Sequence, residues 1–336
     1  MTSEPLDIDD PAGEDFGPPQ QGIILAELVP EPPEEEASLP HARPRRVVLP
    51  TILFIATCLS TFVAGAQGYF FGLIMALLAG HVPGFAFFEE MMVAGSLYAV
   101  PVMIILVCHE AGHFIQARRY GVRCSLPYFI PMPISPLGTF GAVIAMEARM
   151  GSRKALFDVG ISGPLAGLVP TLIFCVWGLC LSGPVSISEG AGGLRFGDPL
   201  ILQWLAKLIL EPIPAGHDIA LNPILFAGWV GLLVTSLNLL PVGQLDGGHI
   251  LYALLRKNAR PVAMVVLVGV TIAVIVGMAI YHYPGWILML MLLLLIGPNH
   301  PPTDDDNVRL GPVRTVLGWL TLGFIFLGLT PMPIIP

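Results

Sequence analysis

The chain has 336 residues, of which 54% are hydrophobic and 12% charged, and its mean hydropathy is +0.77. Soluble domains contain about 25% charged residues, so this composition excludes an ordinary water-soluble globule, a disordered chain and a nucleic-acid-binding protein. Residues 1–50 hold 11 acidic and 3 basic side chains, which account for the whole net charge of −8. The rest of the chain balances 13 acidic against 13 basic residues, and its apolar composition predicts a polytopic membrane protein.

The first 46 residues differ in composition from everything that follows. Proline and acidic residues dominate them, and Phe16 is their one aromatic residue. Such a segment cannot bury enough apolar surface to offset its ordering entropy. We therefore predict that residues 1–46 form a disordered acidic tail and that residues 47–336 form the membrane domain.

Stretches of about 20 mostly apolar residues can span a bilayer as helices. Two shorter apolar runs, residues 69–79 and 286–296, are candidates either for short spans or for segments that do not cross the membrane. We predict an all-α membrane protein of six or seven transmembrane helices with a small membrane-associated β-hairpin or re-entrant segment. The six strong candidates are residues 47–66, 91–115, 155–181, 219–240, 262–281 and 313–330.

Basic residues predict the orientation of these spans, because lysine and arginine collect in short cytoplasmic loops. With the N-terminus inside and residues 283–297 counted as a span, 14 of the 16 basic residues fall inside, and only Arg195 and Lys207 fall outside. If residues 283–297 do not span, the division is still 12 to 4. We therefore predict a cytoplasmic N-terminus.

Two segments depart from the pattern of spanning helices. Four prolines make residues 126–137 incompatible with a continuous helix, and residues 138–146 have the composition of a strand or hairpin. Irregular backbone at membrane depth persists only where protein or a watery cavity covers it. Residues 199–210 are predicted to lie along the membrane interface on the side opposite the cytoplasm.

The string Cys108-His109-Glu110-Ala111-Gly112-His113, at the cytoplasmic end of the second strong span, fits His-Glu-x-x-His. On a helix, residues four positions apart project from one face, so His109 and His113 can bind one zinc ion. Glu110 would lie beside the open coordination position, where it can take a proton from the attacking water. Ionisable residues in an apolar span are costly and mark functional sites. The pattern predicts a catalytic metal site.

A catalytic zinc ion takes a third protein ligand. Residues 238–249 end the fourth strong span, 219–240, on the same predicted side of the membrane. Asp246 is the only acidic residue in residues 219–303, and the proline and glycines around it break the helix. We predict Asp246 as the third ligand, with a turn-forming Asp-Gly-Gly as the alternative interpretation. His249 is the other candidate ligand, and otherwise a residue that supports the ligands.

These stretches together resemble the site-2 protease family of intramembrane zinc metalloproteases. The family's His-Glu-x-x-His and its later Asn-x-x-Pro-x-x-x-Leu-Asp-Gly are met at residues 109–113 and 238–247, and the similarity continues through residues 157–167. The resemblance covers residues 95–300. Many bacterial members insert a PDZ domain between the motifs, and the loop at residues 182–217 is too short for one.

The resemblance implies one Zn2+ ion bound by His109, His113 and Asp246, with Glu110 as the general base. It implies cleavage of a peptide bond in or near the transmembrane helix of a membrane-protein substrate, which is regulated intramembrane proteolysis. The catalytic core would be about residues 91–260, in a cell membrane of the bacterial inner-membrane type. Asn238 would lie near the substrate or the catalytic water.

The hairpin is expected to offer an edge to an extended substrate. Gly141, within this hairpin, is predicted, like Asn238 and His249, to lie beside the substrate or around the metal ligands. Isolated histidines near loops are predicted to be interfacial rather than ligands, namely His81, His217, His282 and His300.

Two other functions stay open. Gly160-Ile161-Ser162-Gly163 fits the Gly-x-Ser-Gly of rhomboid-like serine proteases, but His249 and His282, the candidate bases, lie at or past span ends. Small residues here also suit close helix packing. A non-catalytic scaffold or transporter is the second alternative, although the sequence shows no internal repeat. Asp158 fits an ion path or, as we expect, a buried hydrogen-bonded carboxylate.

Overall fold

The computed structural model describes residues 47–146, 151–186, 195–214 and 216–335. The predicted tail, residues 1–46, lies outside the described residues. Within them the chain is mostly helical, as its hydropathy predicted. The helices are α1 (Val48–Gly65), α2 (Gln67–Leu78), α3 (Phe85–Arg119), α4 (Arg153–Cys180), α5 (Leu200–Ile209), α6 (Pro223–Asn238), α7 (Asp246–Leu255), α8 (Ala259–Tyr281), α9 (Ile287–Ile296), α10 (Pro312–Gly323) and α11 (Ile325–Gly328).

Short strands form two-stranded antiparallel pairs among the described residues. The pairs are β1 (Tyr128–Met132) with β2 (Gly138–Val143), β3 (Pro184–Ser186) with β5 (His217–Ile219), and β4 (Arg195–Phe196) with β6 (Ile334–Ile335).

Four helical segments in the described part of the chain are long and apolar enough to cross a membrane. They are Val48–Gly65, Phe85–Arg119, Arg153–Cys180 and Asp246–Tyr281, the last of which contains α7, a short 3₁₀ turn and α8. The remaining apolar helices are shorter. Among them α6 begins four residues later than the predicted span at 219–240, because the Asn222 side chain accepts a hydrogen bond from the Leu225 N–H, 2.9 Å, and caps the helix there.

Helices α3, α4 and α6 pack closely because glycines lie at their contacts. A Cβ atom added at Gly112 of α3 would overlap the Ser162 carbonyl oxygen of α4, and one at Gly178 of α4 would lie 2.5 Å from Leu225 Cα of α6. The predicted use of small residues for close helix packing is therefore confirmed on α4. In the resulting core, the face of α3 that carries His109 and His113 packs against α4.

The hairpin predicted after residue 126 is confirmed. β1 and β2 pair antiparallel with Tyr128 opposite Val143, and α1 packs against β1 through an edge-on contact of Phe54 with Phe129, whose ring centroids are 5.2 Å apart. β2 ends at Val143, so residues 144–146 continue without strand pairing to β1. The hairpin brings its C-terminal end to the same region as the end of α3.

An ion pair holds α10 against α4. Arg314 donates two hydrogen bonds to the Asp158 carboxylate, Nε to Oδ1 at 2.8 Å and Nη2 to Oδ2 at 2.9 Å. The Tyr120 hydroxyl at the end of α3 donates to the same carboxylate. The hydrogen bonds predicted for the Asp158 carboxylate are confirmed, but its side chain is 15% exposed rather than fully buried.

Candidate metal centre

The C-terminal half of α3 carries the predicted histidine pair and the intervening glutamate. His109, Glu110 and His113 are all buried, with only 4 to 5% of each residue exposed. The two imidazoles lie one helical turn apart with ring centroids separated by 4.9 Å. Helical spacing therefore places both rings on the buried face of α3, as the motif predicted.

The predicted third residue reaches the same point from the start of α7. After α6 ends at Asn238, a loop at residues 239–245 reverses the chain, and Asp246 opens α7. A side chain at Gly247 would overlap the Leu239 carbonyl oxygen, so glycine permits the first turn of α7 to lie against the loop. The break between α6 and α7 is thus shorter than the sequence predicted, because Gly247 and Gly248 are themselves helical.

Three potential ligand side chains converge between α3 and α7. His109 Nε2 lies 3.1 Å from Asp246 Oδ2, and His113 Nε2 lies 3.2 Å from Asp246 Oδ1. The two Nε2 atoms are 3.2 Å apart. These three side chains form a group able to hold a metal ion.

The protonation pattern of this group leaves electron pairs that face one another. His113 Nδ1 lies 2.8 Å from the Val159 carbonyl oxygen, which can only accept, so Nδ1 carries a proton and Nε2 faces Asp246, with a lone pair whenever the ring is neutral. Lone pairs this close require a shared proton or a cation. Ligand atoms bound about 2.0–2.1 Å from a tetrahedral zinc ion lie about 3.3 Å apart, so the donor set and its spacing fit zinc.

Glycines of α4 make room for both imidazoles. A Cβ atom at Gly163 would overlap the His113 ring, and one at Gly167 would lie 3.0 Å from His109 Cβ. The Val159 carbonyl, one turn earlier on α4, fixes the orientation of His113. Helix α4 therefore orients the two candidate ligand histidines, as neighbouring residues do for metal-binding histidines.

A pocket of about 210 Å³ opens onto the three candidate ligand residues. Glu110 lines it, and so do residues 142–144 at the end of β2 and residues 300–303 after α9. A carboxylate, a potential metal position and an extended backbone edge are thus exposed to one cavity.

Three further predicted site residues differ in their placement. Asn238 lines the pocket with Nδ2 3.4 Å from His109 Nε2. Gly141 has a φ of +96° in β2, and its neighbours Ala142 and Val143, rather than Gly141, line the pocket. His249 lines the pocket but lies outside the three-residue group.

His300 reaches this pocket although its sequence context predicted an interfacial position. Its Nε2 lies 2.6 Å from His249 Nδ1, and it lines the pocket itself. The difference arises because the end of α9 lies against the loop before α7, where a side chain at Gly243 would overlap the Gly297 carbonyl oxygen, so the chain after α9 reaches the site. In the sequence, the Gly297-Pro298 pair after an apolar run was the one signal that pointed to this position of His300.

The serine alternative gains no support from the position of Ser162. Its hydroxyl donates to the Val159 carbonyl oxygen of its own helix at 2.8 Å. Its own carbonyl oxygen lies against Gly112 of α3. Ser162 therefore has a packing role between α3 and α4.

Comparison with known families agrees with this geometry. The profile of Peptidase family M50 matches residues 97–278, which include His109, His113 and Asp246. The chain belongs to peptidase family M50. No solved structure gave a significant match.

Curated relatives are named as zinc metalloproteases. The probable zinc metalloprotease EGY2, chloroplastic, of Arabidopsis thaliana is 29% identical over 82% of this chain and 49% of its own length. EGY1 of the same plant is 32% identical over 70% of this chain and 42% of its own, and EGY1 of rice (Oryza sativa subsp. japonica) is 37% identical over 48% and 28%. The chain thus spans about half the length, or less, of the curated relatives it matches.

Proposed function

We propose that this protein is a zinc-dependent intramembrane endopeptidase that cuts a peptide bond in or near the transmembrane helix of a membrane-protein substrate. The observation that carries the proposal is the convergence of His109 Nε2, His113 Nε2 and the Asp246 carboxylate within 3.2 Å. This group lies at one end of α3, inside a segment able to span a membrane.

In this proposal His109, His113 and Asp246 hold the zinc ion. When bound, zinc supplies Lewis-acid polarisation of the scissile carbonyl and lowers the pKa of water to about 7. Glu110 accepts the proton of the attacking water on a carboxylate oxygen while the water oxygen bonds to the carbonyl carbon. As the C–N bond breaks, Glu110 returns that proton to the leaving nitrogen.

The substrate would bind as an extended strand beside β2. A peptide bond inside a helix has its carbonyl hydrogen-bonded internally, so cleavage requires local unwinding. β2 pairs only with β1 among the described residues, and residues 142–144 at its end line the pocket. An unwound segment can add to this edge through main-chain hydrogen bonds.

The membrane arrangement is part of the same proposal. The four long apolar segments and the shorter apolar helices α6 and α10–α11 would give six spans, and α9 would add a seventh. The distribution of basic residues supports a cytoplasmic tail at residues 1–46 and an active site on the same side of a bacterial-type inner membrane. The membrane domain would be residues 47–336, with the catalytic core at about residues 91–260. Because the named relatives are described as chloroplastic, a chloroplast membrane is the alternative location.

Reconstitution with a transmembrane substrate tests the proposal. Glu110→Gln should retain zinc but lower the cleavage rate by 10²–10⁴-fold, the usual contribution of a general base. Glu89→Gln, on the exposed part of the same helix, is the matched control and should cleave as the wild type does. Cleavage at the wild-type rate by Glu110→Gln would overturn the assignment.

A further inference from the structure

A second pair of histidines lies beside the metal centre. His249 Nδ1 is 2.6 Å from His300 Nε2, and their rings meet edge to face with centroids 4.9 Å apart. Both side chains line the pocket that contains Glu110. Neither belongs to the potential metal-binding group, so holding the metal does not account for this pair.

The hydrogen bond between His300 and the Pro301 carbonyl determines the direction of the bond between the two histidines. His300 Nδ1 lies 2.6 Å from the Pro301 carbonyl oxygen, which can only accept, so Nδ1 carries the proton. Burial lowers the pKa of His300, against the opposing effect of the bond to Pro301, so the ring is neutral at pH 7. His300 Nε2 is then an acceptor, and His249 Nδ1 must donate to it. In neutral His249, Nε2 is left with a free lone pair.

Several contacts fix His300 in this position. The Tyr252 ring stacks on it with a centroid distance of 4.5 Å and an interplanar angle of 18°. The Tyr252 hydroxyl donates to Asp306 at 2.8 Å, and Thr303 donates to the same carboxylate at 2.6 Å. The backbone of Asp305 pairs with residues 151–153 at the start of α4. The loop carrying His300 is therefore tied to both α7 and α4.

These contacts also keep Asp306 ionised. Burial would raise the pKa of its carboxyl, but the hydrogen bonds from Thr303 and Tyr252 outweigh this effect and hold the pKa below its usual range. A charged acceptor strengthens the bond from the Tyr252 hydroxyl. Tyr252 is thereby fixed as the platform for the His300 ring.

We propose that His249 Nε2 accepts a hydrogen bond from a backbone N–H of the bound substrate, and that His300 is a positioning residue that fixes the required tautomer. The inference rests on the proposed function. A peptide unwound into a water-poor pocket exposes N–H groups that need acceptors. Asp246 and Glu110, which also line the pocket, are engaged with the metal and with proton transfer. His249 is the imidazole of this pocket that has an available lone pair and no place in the metal group.

Nitrogen-15 NMR of the zinc-loaded full chain tests the tautomer without any cleavage. With histidine labelled and His249 assigned from the spectrum of His249→Gln, the wild type should show His249 protonated at Nδ1 only. His300→Leu removes the acceptor and should shift His249 toward the Nε2-protonated form. His300→Gln restores an acceptor oxygen and should restore the wild-type tautomer. An Nε2-protonated His249 in the wild type would overturn the proposal even if the protein is a peptidase.

Kinetics and metal content test the role in substrate binding. One hydrogen bond of this kind corresponds to about a 3- to 10-fold change in binding, so His249→Leu and His300→Leu should raise KM by that factor with a smaller effect on kcat. His300→Gln should recover most of the loss, and the exposed control His81→Leu should behave as the wild type. Zinc content should be unchanged in all four. Loss of zinc in His249→Leu, or an unchanged KM, would refute the proposal.

Discussion

Replacing Gly163 by alanine places a methyl group against the atom through which His113 faces the metal position. The atom closest to an added Cβ is His113 Nε2, well inside the 3.0 Å that real Cβ atoms keep from other heavy atoms. The imidazole must therefore retreat by about 1 Å, whereas metal–ligand distances tolerate only about 0.2 Å. Because the ring is at the end of a side chain, it can swing aside and let α3 and α4 still pack. Ligation should fail while folding survives.

We expect Gly163→Ala to lower zinc affinity by about 10- to 100-fold, the usual cost of a change that misorients a metal ligand. The same substitution should stabilise helix α4 itself, because alanine is favoured over glycine in helices by about 1 kcal/mol. Gly269→Ala is the matched control, since an added Cβ there meets nothing within 4 Å in α8. Competition with a chromophoric chelator measures affinity, and circular dichroism measures helix content. Wild-type zinc affinity in Gly163→Ala would refute the packing argument.

Three further outcomes are expected. Ser162→Ala should keep wild-type cleavage in a reconstituted assay, because its hydroxyl bonds only within α4; loss of cleavage with zinc still bound would instead favour a serine mechanism. Arg314→Ala should lower the free energy of unfolding by about 1–2 kcal/mol in detergent, a value reduced for solvent screening because the Arg314 side chain is 37% exposed, while the exposed Arg309→Ala should not change it. Chelation should abolish cleavage and added zinc should restore it; cleavage that persists after complete zinc removal would contradict the metal assignment.

The parts of the site that depend on local spacing could be predicted from the sequence. His109 and His113 share a helix face because four residues make about one turn. Asp246 was identifiable because it is the only acidic side chain in a long apolar stretch and follows a span on the predicted side. The prolines before residue 138 excluded a helix and pointed to the hairpin.

The parts that depend on tertiary packing were not predictable. His300 lies 51 residues after His249, and only the folding of the loop after α9 brings the two together. The roles of Gly163 and Gly167 require knowing which face of α4 meets α3. The start of α7 at Asp246 depends on contacts of Gly247 with the preceding loop, which local propensity does not encode, since glycine disfavours helices.

One zinc ion held by His109, His113 and Asp246 is the centre of the proposed chemistry. Metal analysis and zinc X-ray absorption spectroscopy of the purified full chain measure it directly. We predict one zinc per chain, with nitrogen and oxygen ligands at about 2.0–2.2 Å, and loss of the metal in Asp246→Ala but not in the half-exposed control Asp218→Asn. Full zinc occupancy in Asp246→Ala, or a sulfur ligand at about 2.3 Å, would contradict the account.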